Sequence, residues 1–148
     1  MKTFKYIVCS LPLFCLFGCE LNEKNQEQKD DVIVPVSHDY FEISAFALTW
    51  NSTFDVELET YYLYFYSPSC SHCVELKDFI IEKALERRDI YFVKSSSQDQ
   101  FTEDPNKTIG AENPGDIWIL GYPSLLKIED KICTKSFAGN DKIINELK

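Results

Sequence analysis

The clearest signal along the chain is a change of hydrophobic period near residue 70. Tyr61 to Tyr66 is an unbroken run (YYLYFY) without a charge, and Ser67-Pro68-Ser69 ends it. Aromatic side chains bounded by turn residues predict a buried strand that stops in a turn. From Ser71 onward the apolar positions recur at helical spacing. Cys73, Leu76, Ile80 and Ala84, with Phe79 beside them, predict a helix that runs to about Arg87. Ile90 to Val93 is a second buried strand, so the unit is strand, helix, strand, a parallel crossover with a strong right-handed preference.

The pattern on either side of this unit is weaker. Ile43, Phe46, Ala47 and Trp50 fall on one helical face and predict a short helix within Asp39 to Trp50, followed by a loop from Asn51 to Thr60. Val32 to Val36 reads as a short edge strand, because Pro35 cannot donate to a central ladder. Ser95 to Gly115 is polar and holds Pro105, Gly110 and Pro114, which predicts a long surface loop with at most a short helix. Ser124 to Ile128 and Lys131 to Phe137 predict a hairpin joined at Glu129-Asp130. Asn140 is then expected to cap a last helix with Ile143, Ile144 and Leu147 inward.

The first eighteen residues follow another pattern. Met1, Lys2 and Lys5 form a basic head and Tyr6 to Phe17 an apolar run, which reads as an export signal. The run is shorter than the about 20 apolar residues that span a bilayer. Leu16-Phe17-Gly18-Cys19 resembles a bacterial lipobox. The resemblance implies cleavage before Cys19 and acylation of its sulfur and new amino group, with a plain secretory signal as the alternative. Two or three acyl chains anchor stably, since each buried CH2 contributes roughly 0.8 kcal/mol. Glu20 to Asp31 is too polar to pack and is expected to be a tether spanning roughly 20 Å. The chain thus divides into a signal at 1–18, an acylated cysteine with its tether at 19–31, and a folded domain at 32–148.

Composition sharpens this division. A chain of 148 residues with 45% hydrophobic and 26% charged residues fits one globular domain. Loss of Lys2 and Lys5 takes the 15 basic residues to 13 against 24 acidic ones, a formal charge of −11. Such a charge disfavours nucleic acid and keeps the domain from lying flat on anionic lipid. Of six cysteines, Cys9 and Cys15 leave with the signal and Cys19 is acylated. Cys70, Cys73 and Cys133 remain, so at most one intramolecular pair forms.

The chemistry concentrates in Cys70-Ser71-His72-Cys73. The thiolate is the nucleophile in disulfide exchange, and a cysteine at a helix N-terminus gains from the unpaired N–H groups there. Two intervening residues let the second thiol attack a mixed disulfide made by the first. His72 further favours a Cys70 thiolate when protonated, unless it is a solvated turn residue with no chemical role. A zinc site would need two more ligands, and only Cys133 and His38 lie outside the motif. A purely structural disulfide in so short a loop would constrain little of the unfolded chain. Cys133 reads as a small hydrophobe on a half-buried strand, with a resolving role as the alternative. No metal and no organic cofactor are called for.

Phe65-Tyr66-Ser67-Pro68-Ser69-Cys70-Ser71-His72-Cys73 resembles the FYAPWCGHC segment of protein disulfide isomerases within the thioredoxin family. Gly121-Tyr122-Pro123-Ser124-Leu125-Leu126 resembles that family's cis-proline strand, and Phe137-Ala138-Gly139 falls at the family's usual distance beyond it. The resemblance implies an α/β thioredoxin-like fold, a central mixed β-sheet flanked by helices. It also implies that Pro123 is cis and sits against Cys70, while Tyr122 offers backbone hydrogen bonds to an extended substrate. Three positions depart from the family. Ser69 stands where the family has Trp, Tyr64 where it has a buried carboxylate, and Asp78 where it has a helix-kinking proline. The carboxylate assists proton transfer from the second cysteine, so Tyr64, a water or another acid takes its part, or Cys73 deprotonates more slowly.

The expectation is therefore a thiol-disulfide oxidoreductase, lipid-anchored on the outer side of a bacterial cell membrane. It would act as a monomer on exported protein thiols and disulfides, served by a membrane redox partner. Two alternatives stay open: a membrane-anchored thiol reductase of the cytochrome c maturation type, and a non-catalytic thioredoxin-like binding lipoprotein.

Overall fold

The computed structural model describes residues 37–148. The export signal, Cys19, the tether and the strand expected at Val32 to Val36 lie outside the described residues.

Five strands form one sheet in the order β1-β3-β2-β4-β5. They are β1 (Ala47–Leu48), β2 (Thr60–Tyr66), β3 (Ile90–Lys94), β4 (Ser124–Glu129) and β5 (Ile132–Ala138), with helices α1 (Ser71–Arg87) and α2 (Asn140–Leu147). β1 and β2 both run parallel to β3, whereas β4 is antiparallel to β2 and β5 to β4. A parallel β2-α1-β3 crossover beside an antiparallel hairpin is the thioredoxin-like arrangement. Among the described residues no helix is long and apolar enough to cross a membrane.

β2 lies in the middle of the sheet and is buried on both faces, which is why its sequence carries no polar alternation. Because side chains alternate along a strand, Tyr62, Tyr64 and Tyr66 enter one core and Tyr61, Leu63 and Phe65 the other. The first core is closed by both helices, through Cys73, Leu76, Ile80, Ile81 and Ala84 of α1 and Ile143 and Leu147 of α2. The second is closed without an α-helix. Trp50, Val56, Ala111, Ile117 and Ile119 cover it instead.

The segment 95–115, polar in sequence, is fixed by its backbone. Gly110 N–H donates to Cys133 O, and Cys133 N–H to Ala111 O, both at 2.8 Å, so the segment lies along β5. Its later part holds a single 3-10 turn, Pro114–Asp116. Trp50 Nε1 donates to Pro114 O at 3.1 Å and ties that turn to the opposite edge.

Three boundaries differ from the sequence reading, each for a physical reason. The helix expected within Asp39 to Trp50 is broken into a 3-10 helix (Tyr40–Phe46), strand β1 and a second 3-10 turn (Trp50–Ser52). Ile43 is buried in the first core and Trp50 in the second, so the chain has to cross the sheet edge between them. Ala47 and Leu48 do so by pairing with Phe92 and Val93. The hairpin turns at Asp130-Lys131, one residue later than expected. Both residues have positive φ, as a two-residue hairpin loop requires. Finally, Gly139 rather than Asn140 occupies the N-cap of α2, at φ 85°, and Asn140 is the first helical residue.

These cores bury ionisable groups in their neutral forms. Tyr61 donates its hydroxyl to Thr53 O at 2.8 Å, and burial pushes its phenol up to about 12. Burial also pushes the Cys133 thiol up to about 12 and raises the Tyr40 and Tyr64 phenols. Groups that hold protons more tightly when folded stabilise fully below their unfolded values, about 8.5 for a thiol and about 10 for a phenol. That contribution is lost as pH rises through the folded values. The urea midpoint should hold between pH 7 and 8 and fall progressively above pH ~9. A midpoint that stays constant to pH ~11 would contradict this burial.

Candidate active site

The site begins where β2 runs out. After Tyr66 the chain turns through Ser67-Pro68-Ser69, and Cys70 N–H donates to Ser67 O at 3.1 Å to close the turn. Cys70 is the N-cap of α1, with extended backbone (φ −86°, ψ 121°). Its carbonyl accepts the Val74 N–H at 3.1 Å and its Sγ accepts the Cys73 N–H at 3.4 Å. The sulfur thus takes the place that a Ser or Asp oxygen usually takes at a helix start, facing otherwise unpaired N–H groups.

Across from Cys70 lies the loop before β4. The Tyr122–Pro123 bond is cis, and the Cys70 thiol donates to Tyr122 O at 3.4 Å. Gly139 N–H donates to Pro123 O at 3.1 Å. The three segments singled out from the sequence, around Cys70, Pro123 and Gly139, therefore meet in one place.

The two cysteines differ in surroundings. Cys70 is half-buried, whereas Cys73 is 1% exposed and packs among Tyr64, Tyr66 and Leu76 in the first core. Both are free thiols. Burial pushes the Cys73 thiol up to about 12; the Ser67 N–H opposes this, Cys70 adds to it, and the Tyr64 hydroxyl opposes it. Cys133 lies in the second core, on the far face of the sheet, and is 0% exposed. It is a more deeply buried hydrophobe than its strand pattern implied, and it cannot reach Cys70 to resolve a mixed disulfide.

His72 projects from the first turn of α1 with its side chain largely in solvent, and its Nδ1 lies 3.3 Å from Glu75 Oε2. The same carboxylate oxygen accepts from Asn140 Nδ2 at 3.2 Å, which links the start of α1 to the start of α2. The sequence reading passed over Glu75 and took Asn140 only as a helix cap. The spacing of His72 and Glu75, three apart on one helix, was the signal for the first contact; the second joins residues far apart in sequence and left none. It also passed over Phe101, which sits edge-on against the Tyr122 ring at 5.6 Å. A parallel bridge between Phe101 and Ile119 holds it there. His38 is engaged elsewhere, its N–H donating to Asp78 Oδ1 at 2.9 Å. Asp78, standing where the resembled family has its proline, thus ties the preceding segment to α1, which runs unbroken from Ser71 to Arg87.

No family model and no curated protein matches the chain. Solved structures do. Thioredoxin f2 of Chlamydomonas reinhardtii aligns with 69% of this chain and 92% of its own, at 16% identity and a TM-score of 0.45. Mitochondrial thioredoxin 3 of Saccharomyces cerevisiae, in its oxidized form, aligns over 71% and 93%, at 15% identity and a TM-score of 0.46. Thioredoxin f from spinach chloroplast aligns over 77% and 96%, at 16% identity and a TM-score of 0.46. The fold itself follows from the strand order and from the way the Cys70 turn meets the Tyr122–Pro123 bond.

Proposed function

We propose that this chain is an extracytoplasmic thiol-disulfide oxidoreductase that exchanges disulfides with exported proteins in the oxidising or isomerising direction. An acylated Cys19 would hold it to a bacterial cell membrane. The observation that carries the catalytic part is the asymmetry of the pair. Cys70 is half-buried at a helix N-cap beside the Tyr122 carbonyl, and Cys73 is buried one turn behind it. Substrate sulfur meets Cys70 first, and Cys73 is shielded from everything except Cys70.

In the oxidising direction a substrate thiolate attacks Cys70 Sγ of the intramolecular disulfide. The Cys70–Cys73 bond breaks, and Cys73 leaves as a thiolate that takes a proton from solvent. A second substrate thiolate then attacks the substrate sulfur of the mixed disulfide, forming the substrate disulfide and releasing Cys70 as a thiolate. The chain has gained two electrons, which a membrane redox partner would remove. In isomerisation the Cys70 thiolate attacks a substrate disulfide, and Cys73 resolves the adduct if it stalls. Tyr122 and Pro123 flank the place where an extended substrate would lie. The Cys73 N–H at the start of α1 donates to Cys70 Sγ, and a helix N-terminus stabilises negative charge there, which favours a less stable and more oxidising disulfide.

Cys73→Ser should accumulate mixed disulfides with exported proteins, visible on non-reducing gels, whereas Cys70→Ser should show none. Cys133→Ala should leave the trapped species unchanged. Equal trapping by the Cys70 and Cys73 variants, or trapping that depends on Cys133, would displace Cys70 as the attacking thiol.

Anchoring has its own test. The parent should incorporate labelled fatty acid in cells and Cys19→Ala should not. An unlabelled parent would remove the lipid anchor from the proposal.

A further inference from the structure

Tyr64 is 0% exposed, and its hydroxyl is one of two buried side-chain polar atoms without a hydrogen-bond partner among the described residues, the other being Asn140 Oδ1. A buried hydroxyl left unpaired is costly, so an orphan at this position calls for a use. The strand places it. Tyr64 and Tyr66 point from β2 into the core that holds Cys73, and their rings stack at 5.9 Å. Tyr40 stacks on Tyr66 at 4.3 Å and closes that side. Among the described residues no Asp or Glu is buried. His72 and Glu75, on the same helix as Cys73, face solvent. No carboxylate is therefore at hand to take the Cys73 proton.

We infer that the Tyr64 hydroxyl is a catalytic residue that donates its hydrogen bond to the Cys73 thiolate as that sulfur attacks or leaves Cys70, and that disulfide exchange here runs without a buried base. The inference rests on the proposed exchange at Cys70 and Cys73 and adds a group to it. In the thiol state the hydroxyl is unpaired. When Cys73 ionises, its proton passes to solvent and Tyr64 O–H turns onto the anion, the strong charge-assisted form of the bond. The Cys73 thiolate then attacks the Cys70 sulfur of a mixed disulfide. A Cys70–Cys73 bond forms, the bond from Cys70 to the substrate sulfur breaks, and the electron pair leaves on the substrate sulfur. In reverse, Cys73 is the leaving group and receives the same hydrogen bond.

Tyr64 cannot itself be the base, because burial, with the neighbouring Cys73, Tyr40 and Cys70, raises its phenol far above neutral pH. The groups facing Cys73 are Cys70 on its own helix, the Ser67 N–H of the turn and Tyr64 of β2. Tyr40, from the preceding 3-10 helix, acts on Tyr64. None is a carboxylate.

Two properties follow. Cys73 is a neutral thiol in the reduced protein at neutral pH, so a hydrogen bond made only to its thiolate changes rates in both directions and leaves the equilibrium alone. The rate of resolution should also rise with pH as the Cys73 thiolate fraction does, about tenfold per unit, with no inflection from a buried carboxylate.

The test uses the reduced full chain mixed with excess 5,5′-dithiobis(2-nitrobenzoate). Cys70 attacks the reagent and releases one thionitrobenzoate; Cys73 then resolves the adduct and releases a second. The first phase reads Cys70 and the second reads Cys73, and Cys73→Ser should abolish only the second. Tyr64→Phe should leave the first phase unchanged, slow the second about tenfold, and leave the midpoint potential unchanged against a glutathione buffer. An equally fast second phase, equal slowing of both phases, or an altered potential would overturn the inference. If Tyr64→Phe fails to fold, the parent's second phase still decides: a steady rise from pH 6 to about 9 is expected, and a plateau within that range would reveal another proton acceptor. A parent with no second phase would defeat the proposed exchange itself, which keeps the two failures distinguishable.

Discussion

Because β2 is covered on both faces, its alternating side chains are divided between two cores, and the position of the cysteine pair depends on that division. The strand has no solvent side on which to end gradually. It stops where Ser67-Pro68-Ser69 stops it, and the next residue, Cys70, becomes the N-cap of α1. α1 must lay Cys73, Leu76 and Ile80 on the tyrosine face of the sheet, which places Cys73 inside and leaves Cys70 at the rim. The inequality of the two thiols, on which any exchange chemistry rests, is thus a consequence of how one strand and one helix are packed.

The central unit was legible in the sequence because every level of signal agreed there: an uncharged aromatic run, a turn with proline, a helical stripe and a second strand. The candidate cysteine pair was legible for the same reason, since Cys70 and Cys73 sit where the turn meets the helix, whereas Tyr122 and Pro123, before β4, were legible only through the family resemblance. What escaped was set by contacts distant in sequence. Ala47 and Leu48 have the pattern of a helix, yet the open edge of β3 offers them hydrogen bonds, and Ile43 and Trp50 pull the chain to opposite faces. Residues 95–115 look like a surface loop by composition, but their backbone pairs with Cys133 and Ala111 is buried against the second core. Polarity reported their side chains correctly and said nothing of where their backbone hydrogen bonds go.

The electrostatics of the site are those of an interior with few charges. The groups that surround Cys73 are phenols, a thiol and a backbone N–H, and no carboxylate is among them. The Glu75 carboxylate lies outside, paired with His72 and Asn140 in a cluster that links α1 to α2. The outer thiol sits at the N-cap of α1 beside the Tyr122 carbonyl, and the inner one is governed by burial relieved by neutral donors.

The midpoint reduction potential of the full chain against a glutathione buffer tests the central claim most directly, because it requires a redox pair and also fixes its direction. The account predicts one two-electron transition assigned to Cys70 and Cys73, nearer to about −180 mV, as for the disulfide isomerase, than to about −270 mV, as for thioredoxin. A value at or below that of thioredoxin would reverse the direction of electron flow, and the absence of any transition would remove the redox pair altogether.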